Sequence, residues 1–152
     1  MRFARFSKRH LPEFIAMLNA AKGAFGAPWA AHMQKTFSQR GCPRCSLATY
    51  AVTDSGKLVA VFATREEVEA FVLYFILVGN DNLGAGVGKK IVARTELMAR
   101  KAGAKFLRVD IYTGKPIQAF YEKQGFKVGG RVNFYEEDND DQTFLYKKLT
   151  PE

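Results

Sequence analysis

With 152 residues, 47% of them apolar and 25% charged, the chain is expected to form one domain, residues 1–152, whose core needs no metal or disulfide staple. Its longest apolar stretch, Ala70–Val78, falls far short of the roughly 20 residues that span a bilayer, and the basic start at residues 1–10 runs into no uninterrupted apolar segment, so a cytoplasmic protein is expected. A formal net charge of +8 favours a polyanionic partner, for which nucleic acid and a phosphate-bearing cofactor both qualify.

In chain order, the alternation of "RFARF" predicts a short first strand. Ser7 is placed to cap a helix over residues 11–21, in which Leu11, Phe14, Ile15 and Leu18 recur at helical spacing. Gly23, Gly26 and Pro28 end it. "WAAHMQKTFSQ" predicts a second helix, stopped by Gly41 and a Cys-x-x-Cys turn. "SLATYAV" and "LVAVFAT" read as two strands joined through Asp54, Ser55 and Gly56, and "AFVLYFILV" as a central strand covered on both faces. The third helix is "KKIVARTELMARKAG", with Ile91, Val92, Thr95, Leu97 and Met98 near one side and Gly103 at its end. "AKFLRVDIY" is a strand. "PIQAFYEKQ" is a short helix opened by Pro116 and closed by Gly125. "FKVGGRVNFY" and "TFLYKKL" pair around the acidic run at residues 136–141. The predicted fold is α/β (α+β): a mixed sheet of about seven strands flanked by about four helices, parallel where a helix crosses over.

Two motifs stand out. Cys42 and Cys45 supply half of a tetrahedral zinc site with no second pair, and His10 and His32 could complete it only if folding brought them close. Reduced thiols in a tight turn, and no metal, are expected; a redox pair would lack thioredoxin-like flanks. The second motif is "NDNLGAGVGKK", residues 80–90, between the apolar strand and the third helix. Gly84, Gly86 and Gly88 permit positive φ angles and remove Cβ atoms, while free N–H groups and the dipole at the helix start attract an anion. Lys89 and Lys90 add charge. The string is neither a P-loop nor a G-x-G-x-x-G fingerprint, and a tight turn packing helix on strand would use the same glycines.

"AFYEKQGFKVGG", residues 119–130, follows that loop by one helix and one strand. In this order, with the hairpin and apolar strand before them, the motifs resemble the GNAT acyltransferase superfamily over residues 47–149, about two thirds of the chain. The resemblance implies transfer of an acetyl group from acetyl-CoA to a primary amine by direct attack in a ternary complex. It implies that the backbone of Ile76, Leu77 and Val78 pairs with the pantetheine arm. Gly84, Ala85, Gly86, Val87, Gly88 and Lys89 would hold the pyrophosphate. Tyr121 would be the general acid that protonates the CoA sulfur; the alternative is a core cluster of Phe120, Tyr121 and Phe126. The chain departs from the family pattern at Leu83, where Arg or Gln is usual, at Gly114 or Lys115, where an Asn is common, and at Val72, where some members carry a glutamate base.

By strand alternation Arg108, Asp110 and Tyr112 share one face. The resemblance implies that Asp110 points where an acid in the adjacent strand of some members points, if the loop here is one residue longer, and so makes it the candidate base, acting directly or through water. A plain salt bridge from Asp110 to Arg108 or a lysine is the competing reading. Glu69 and His32 are weaker candidates. The expected acceptor is a small-molecule or peptide amine, with no membrane partner; a homodimer is compatible with this reading. Nucleic acid is not expected, since no RNP-like string or helix-turn-helix pattern accompanies the charge. The other reading is a non-catalytic CoA-binding or nucleic-acid-binding module.

Overall fold

The computed structural model describes residues 1–21, 31, 47–112, 116–132 and 141–150. Most of the second predicted helix, Cys42, Cys45, His32, Gly114, Lys115 and most of the acidic run lie outside the described residues. Seven strands form one sheet in the order β1-β2-β3-β4-β5-β7-β6. They are β1 (Arg2–Arg5), β2 (Ala48–Asp54), β3 (Lys57–Glu66), β4 (Ala70–Val78), β5 (Phe106–Tyr112), β6 (Lys127–Val132) and β7 (Gln142–Lys148). The helices described are α1 (Leu11–Ala20), α2 (Val87–Lys101) and α3 (Ile117–Lys123), with 3-10 turns at Lys8–His10 and Asn80–Asn82. Two compact units emerge, each built from two stretches of chain: Met1–Ala63 with Phe75–Ile91, and Thr64–Tyr74 with Val92–Glu152.

In the first unit β1 runs antiparallel to β2, from Arg2 opposite Thr53 to Arg5 opposite Tyr50. Ser55 (φ 49°) and Gly56 (φ 81°) turn β2 into β3, with positive φ at both central residues, as a two-residue hairpin matched to strand twist requires. The apolar stripe of α1 buries Phe14 and Leu18, four residues apart, among Ala51, Leu58, Val61, Phe75 and Leu77. Each such side chain contributes about 1.5–3 kcal/mol of burial. Glu13 accepts the Leu58 N–H at 2.8 Å, which fixes α1 against the start of β3. Ser7 caps the 3-10 turn rather than α1 itself, and its N–H donates to His10 Nδ1 at 3.0 Å. Burial first, and Arg9 second, push the pKa of His10 down. A neutral, buried imidazole used as a cap is what the structure makes of the histidine weighed above as a metal ligand.

In the second unit β5 lies parallel to β4, from Ala70 opposite Phe106 to Leu73 opposite Val109, and antiparallel to β7 along its whole length. Leu107, Val109 and Ile111 are buried; Arg108 and Asp110, on the alternate face, are half-buried. Of α2, Val87 and Ile91 are buried in the first unit, and Val92, Thr95 and Ala99 in the second. Leu97, expected on the buried side, is 50% exposed, because two residues beyond Thr95 a helix has turned about 200°. Glu96 of α2 binds Arg100 at 2.8 Å and Lys147 of β7 at 2.7 Å.

Candidate functional site

The glycine segment is built from the end of β4 onward. Gly79 donates its N–H to Val59 at 2.9 Å, holding the strand's end in place. The Asn80–Asn82 turn follows, then Gly84 and Gly86, both at φ 77°. A Cβ built on either would meet no protein atom within 4 Å, so glycine is required there by the backbone angle, and the space beside it stays open. Lys90 donates to Gly86 at 3.1 Å, an i to i−4 helical bond. The N–H groups of Val87, Gly88 and Lys89 precede any acceptor within the helix and lie at the positive end of its dipole.

Gly88 corrects one expectation: it sits inside the first turn of α2 and is not a positive-φ residue, so its lack of a Cβ, not its backbone angle, is what it offers. Val87 is buried and can contribute only backbone; Ala85 and Lys89 are exposed. Along the end of β4, Ile76 and Val78 are half-buried, while Leu77 is 1% exposed and packs in the core with Phe14 and Leu18. The ladder between β4 and β5 stops at Leu73, and β4 keeps strand geometry to Val78.

Tyr121 belongs to the second unit. It lies in the last turn of α3, which closes with Gly125 at φ 88°. Gly125 donates its N–H to Glu122 at 3.0 Å and Phe126 donates to Tyr121 at 3.2 Å, the paired bonds of a Schellman stop. The apolar contact that accompanies such a stop is here aromatic: Tyr121 meets Phe126 edge-on at 5.4 Å, and Phe120 at 5.0 Å. The "FYEKQGF" string is therefore a helix terminator with its own hydrophobic clasp. Tyr121 is 3% exposed, and burial drives its phenol well above the usual range. At neutral pH the phenol stays protonated.

Asp110, in the same unit, is one end of a charged chain. Arg108 grips it through Nε to Oδ1 at 3.1 Å and Nη2 to Oδ2 at 3.5 Å. The other side of the guanidinium binds Glu67 at 3.1 Å, and Glu67 in turn pairs with Arg65. Burial raises the pKa of Asp110, the Arg108 charge and hydrogen bonds oppose that, and Glu67 adds to the rise. The Asp110–Arg108 salt bridge of the competing reading is present. Glu67 and Arg65 carry no mark in the sequence, because Glu67 reaches Arg108 from 41 residues earlier and Arg65 joins through Glu67. Glu69, the weaker candidate, is exposed and tied to Lys105 at 2.6 Å.

Among the described residues no group of three or more His, Cys, Asp or Glu could hold a metal ion, and no helix is long and apolar enough to cross a membrane. A profile of the acetyltransferase (GNAT) domain matches residues 28–138, well over half of the chain. The chain belongs to the GNAT acetyltransferases. Solved structures share the fold. A Desulfovibrio desulfuricans protein described as a GNAT-family acetyltransferase matches with a TM-score of 0.80 at 17% identity, over 97% of this chain and 98% of its own. The ribosomal-protein-S18-alanine N-acetyltransferase of Escherichia coli matches at 0.77 and 20%, over 98% and 94%. An aminoglycoside 6′-N-acetyltransferase solved with coenzyme A matches at 0.72 and 14%, over 100% and 99%. No curated protein matches in sequence.

Two of this GNAT chain's departures can be placed. Leu83, where the family usually has Arg or Gln, is 64% exposed, so the loop retains its backbone donors without a charged side chain at its start. Val72 is fully buried and pairs with Arg108 in the β4–β5 ladder, so this chain places an apolar side chain where some members carry a glutamate.

Proposed function

We propose that this GNAT enzyme is a cytoplasmic N-acetyltransferase that uses acetyl-CoA and acts on the primary amine of a small molecule or peptide. Residues 1–152 would form its one domain, a reading that the continuous order of the sheet supports. The observation that carries the proposal is the segment after β4: two glycines at φ 77° with open space beside them, followed by the donor-rich start of α2. That arrangement fits a pyrophosphate, with Gly84, Ala85, Gly86, Val87, Gly88 and Lys89 supplying backbone N–H groups and Lys89 also charge. Ile76, Leu77 and Val78 would hold the pantetheine arm through their backbone. A protein whose published description includes coenzyme A shares the fold, which agrees with this assignment.

Transfer requires an amine that has lost its proton, a polarised thioester carbonyl and a proton for the leaving sulfur. Asp110, the half-buried carboxylate, would take the proton from the incoming amine directly or through water. A backbone N–H at the end of β4 would polarise the carbonyl as the C–N bond forms and the C–S bond breaks. Tyr121, whose phenol is neutral at working pH, would supply the proton to the thiolate. A homodimer is compatible with all of these roles.

The test is release of free CoA thiol across a panel of amine acceptors, with acetyl-CoA affinity measured by calorimetry. Turnover with one acceptor class and a thermal shift caused by acetyl-CoA, not by an oligonucleotide, supports the proposal, since only a ligand of the folded state raises stability. Binding without turnover on any amine would leave a CoA-binding module. No binding would sink the site itself.

A further inference from the structure

We propose that Arg108 and Glu67 are positioning residues that act through Asp110: Arg108 aims and holds the carboxylate, and Glu67 fixes the plane of Arg108. This rests on Asp110 being the base, as assigned under the proposed function. Three observations converge on it. The guanidinium is shared, with Nε and Nη2 on the two oxygens of Asp110 and Nη1 on Glu67, so its plane is set from both ends. Arg65 holds the other oxygen of Glu67. Finally, the four side chains are 26–35% exposed, sheltered enough for charge to be felt across the chain but open to an incoming group.

The groups around Asp110 decide the sign of each effect. On its own strand stands Arg108; from the end of β3 and the turn after it come Arg65 and Glu67. β7 offers Phe144 opposite Asp110, whose ring lies 5.9 Å from the Arg108 guanidinium, and Tyr146 opposite Arg108. β4 carries Val72 opposite Arg108 and, two residues on, Tyr74. Two cations and two carboxylates therefore form a balanced set in which Arg108 favours ionised Asp110 and Glu67 opposes it. Removing one or the other should move Asp110 in opposite directions, which loss of packing alone would not do.

Two readouts keep this inference apart from its premise: the carboxyl carbon resonance of Asp110 followed by NMR against pH, and the acid limb of kcat/KM. In Arg108→Met both midpoints should rise by about one pH unit. In Glu67→Gln both should fall by a smaller amount. Arg108→Lys, which keeps the charge without the fork, should leave the midpoints near wild type while kcat drops. Should Arg108→Met fail to fold, Glu67→Gln and Arg108→Lys decide the matter. An NMR midpoint that stays put, or that moves the same way in the Arg108 and Glu67 variants, overturns the inference whatever the activity does. Midpoints that move in opposite directions while the acid limb stays fixed would show that Asp110 is not the base, and the positioning role falls with that premise.

Discussion

Two glycine turns in this chain use nearly the same backbone angle for opposite ends. Gly86, at φ 77°, stands before α2; Gly125, at φ 88°, stands after α3. At the start of a helix the groups left over are N–H donors, here those of the first residues of α2. At the end of a helix the groups left over are carbonyls, and the turn after α3 bonds them at once to Gly125 and Phe126. One turn opens a helix and the other closes one with its own hydrogen bonds. A left-handed glycine thus says only that the chain must bend; which helix end it serves decides whether donors or carbonyls are left over beside it.

The comparison breaks hardest at Tyr121. Tyr121→Phe keeps the ring contacts with Phe120 and Phe126, so the helix stop and neutral-pH stability should hold, while turnover falls on the order of a hundredfold at unchanged acetyl-CoA affinity. Near wild-type turnover, with chemistry limiting the rate, would reduce Tyr121 to part of the clasp. Next in size is Gly86→Val, which forces a β-branched residue into positive φ and fills the open space; acetyl-CoA affinity should drop at least tenfold, about 1.4 kcal/mol. Calorimetry showing unchanged affinity in a variant folded by circular dichroism would take the loop out of the site.

Gly125→Ala should do the reverse. It should cost about 1 kcal/mol of stability in urea unfolding through strain at φ 88°, with affinity unaltered. Equal loss of affinity in both glycine variants would erase the distinction. The smallest effect is alkaline. Folding raises the Tyr121 phenol above its unfolded value of about 10, so its contribution is whole below that pH and is lost as pH climbs, when the unfolded phenol ionises first. Tyr121→Phe should therefore lose stability less steeply than wild type above pH 10 in parallel denaturant titrations.

Local pattern made much of this architecture legible. The run Ala70–Val78 is strand from end to end, because its apolar continuity has no helical alternative bounded by Gly79, and Ser55-Gly56 is the hairpin expected of it. The stop at Gly125 was equally plain. What escaped depended on angle or on distance in sequence. Leu97 looked apolar enough for the buried side of α2 but lies half a turn away from it. Gly88 matched its neighbours in spacing yet falls beyond the helix start, which no count of glycines reveals. Asp110 could be assigned a face from period two alone, whereas its control by Glu67 depends on a strand alignment that only the folded sheet sets.

The two-unit organisation has a consequence for the order in which the chain can fold as it is made. Every residue the first unit uses has been synthesised by Ile91, but by then the strand β4 has also delivered Phe71, Val72 and Leu73, which belong to the second unit. Their ladder partners, Leu107, Arg108 and Val109, arrive only after the whole of α2. During that interval a newly formed first unit trails an apolar strand segment with an open edge, the kind of surface on which nascent chains stick to one another. The parallel β4–β5 pairing that ends the wait needs a whole helix between its strands, so the time to reach it should bear on how much of this protein a cell recovers folded.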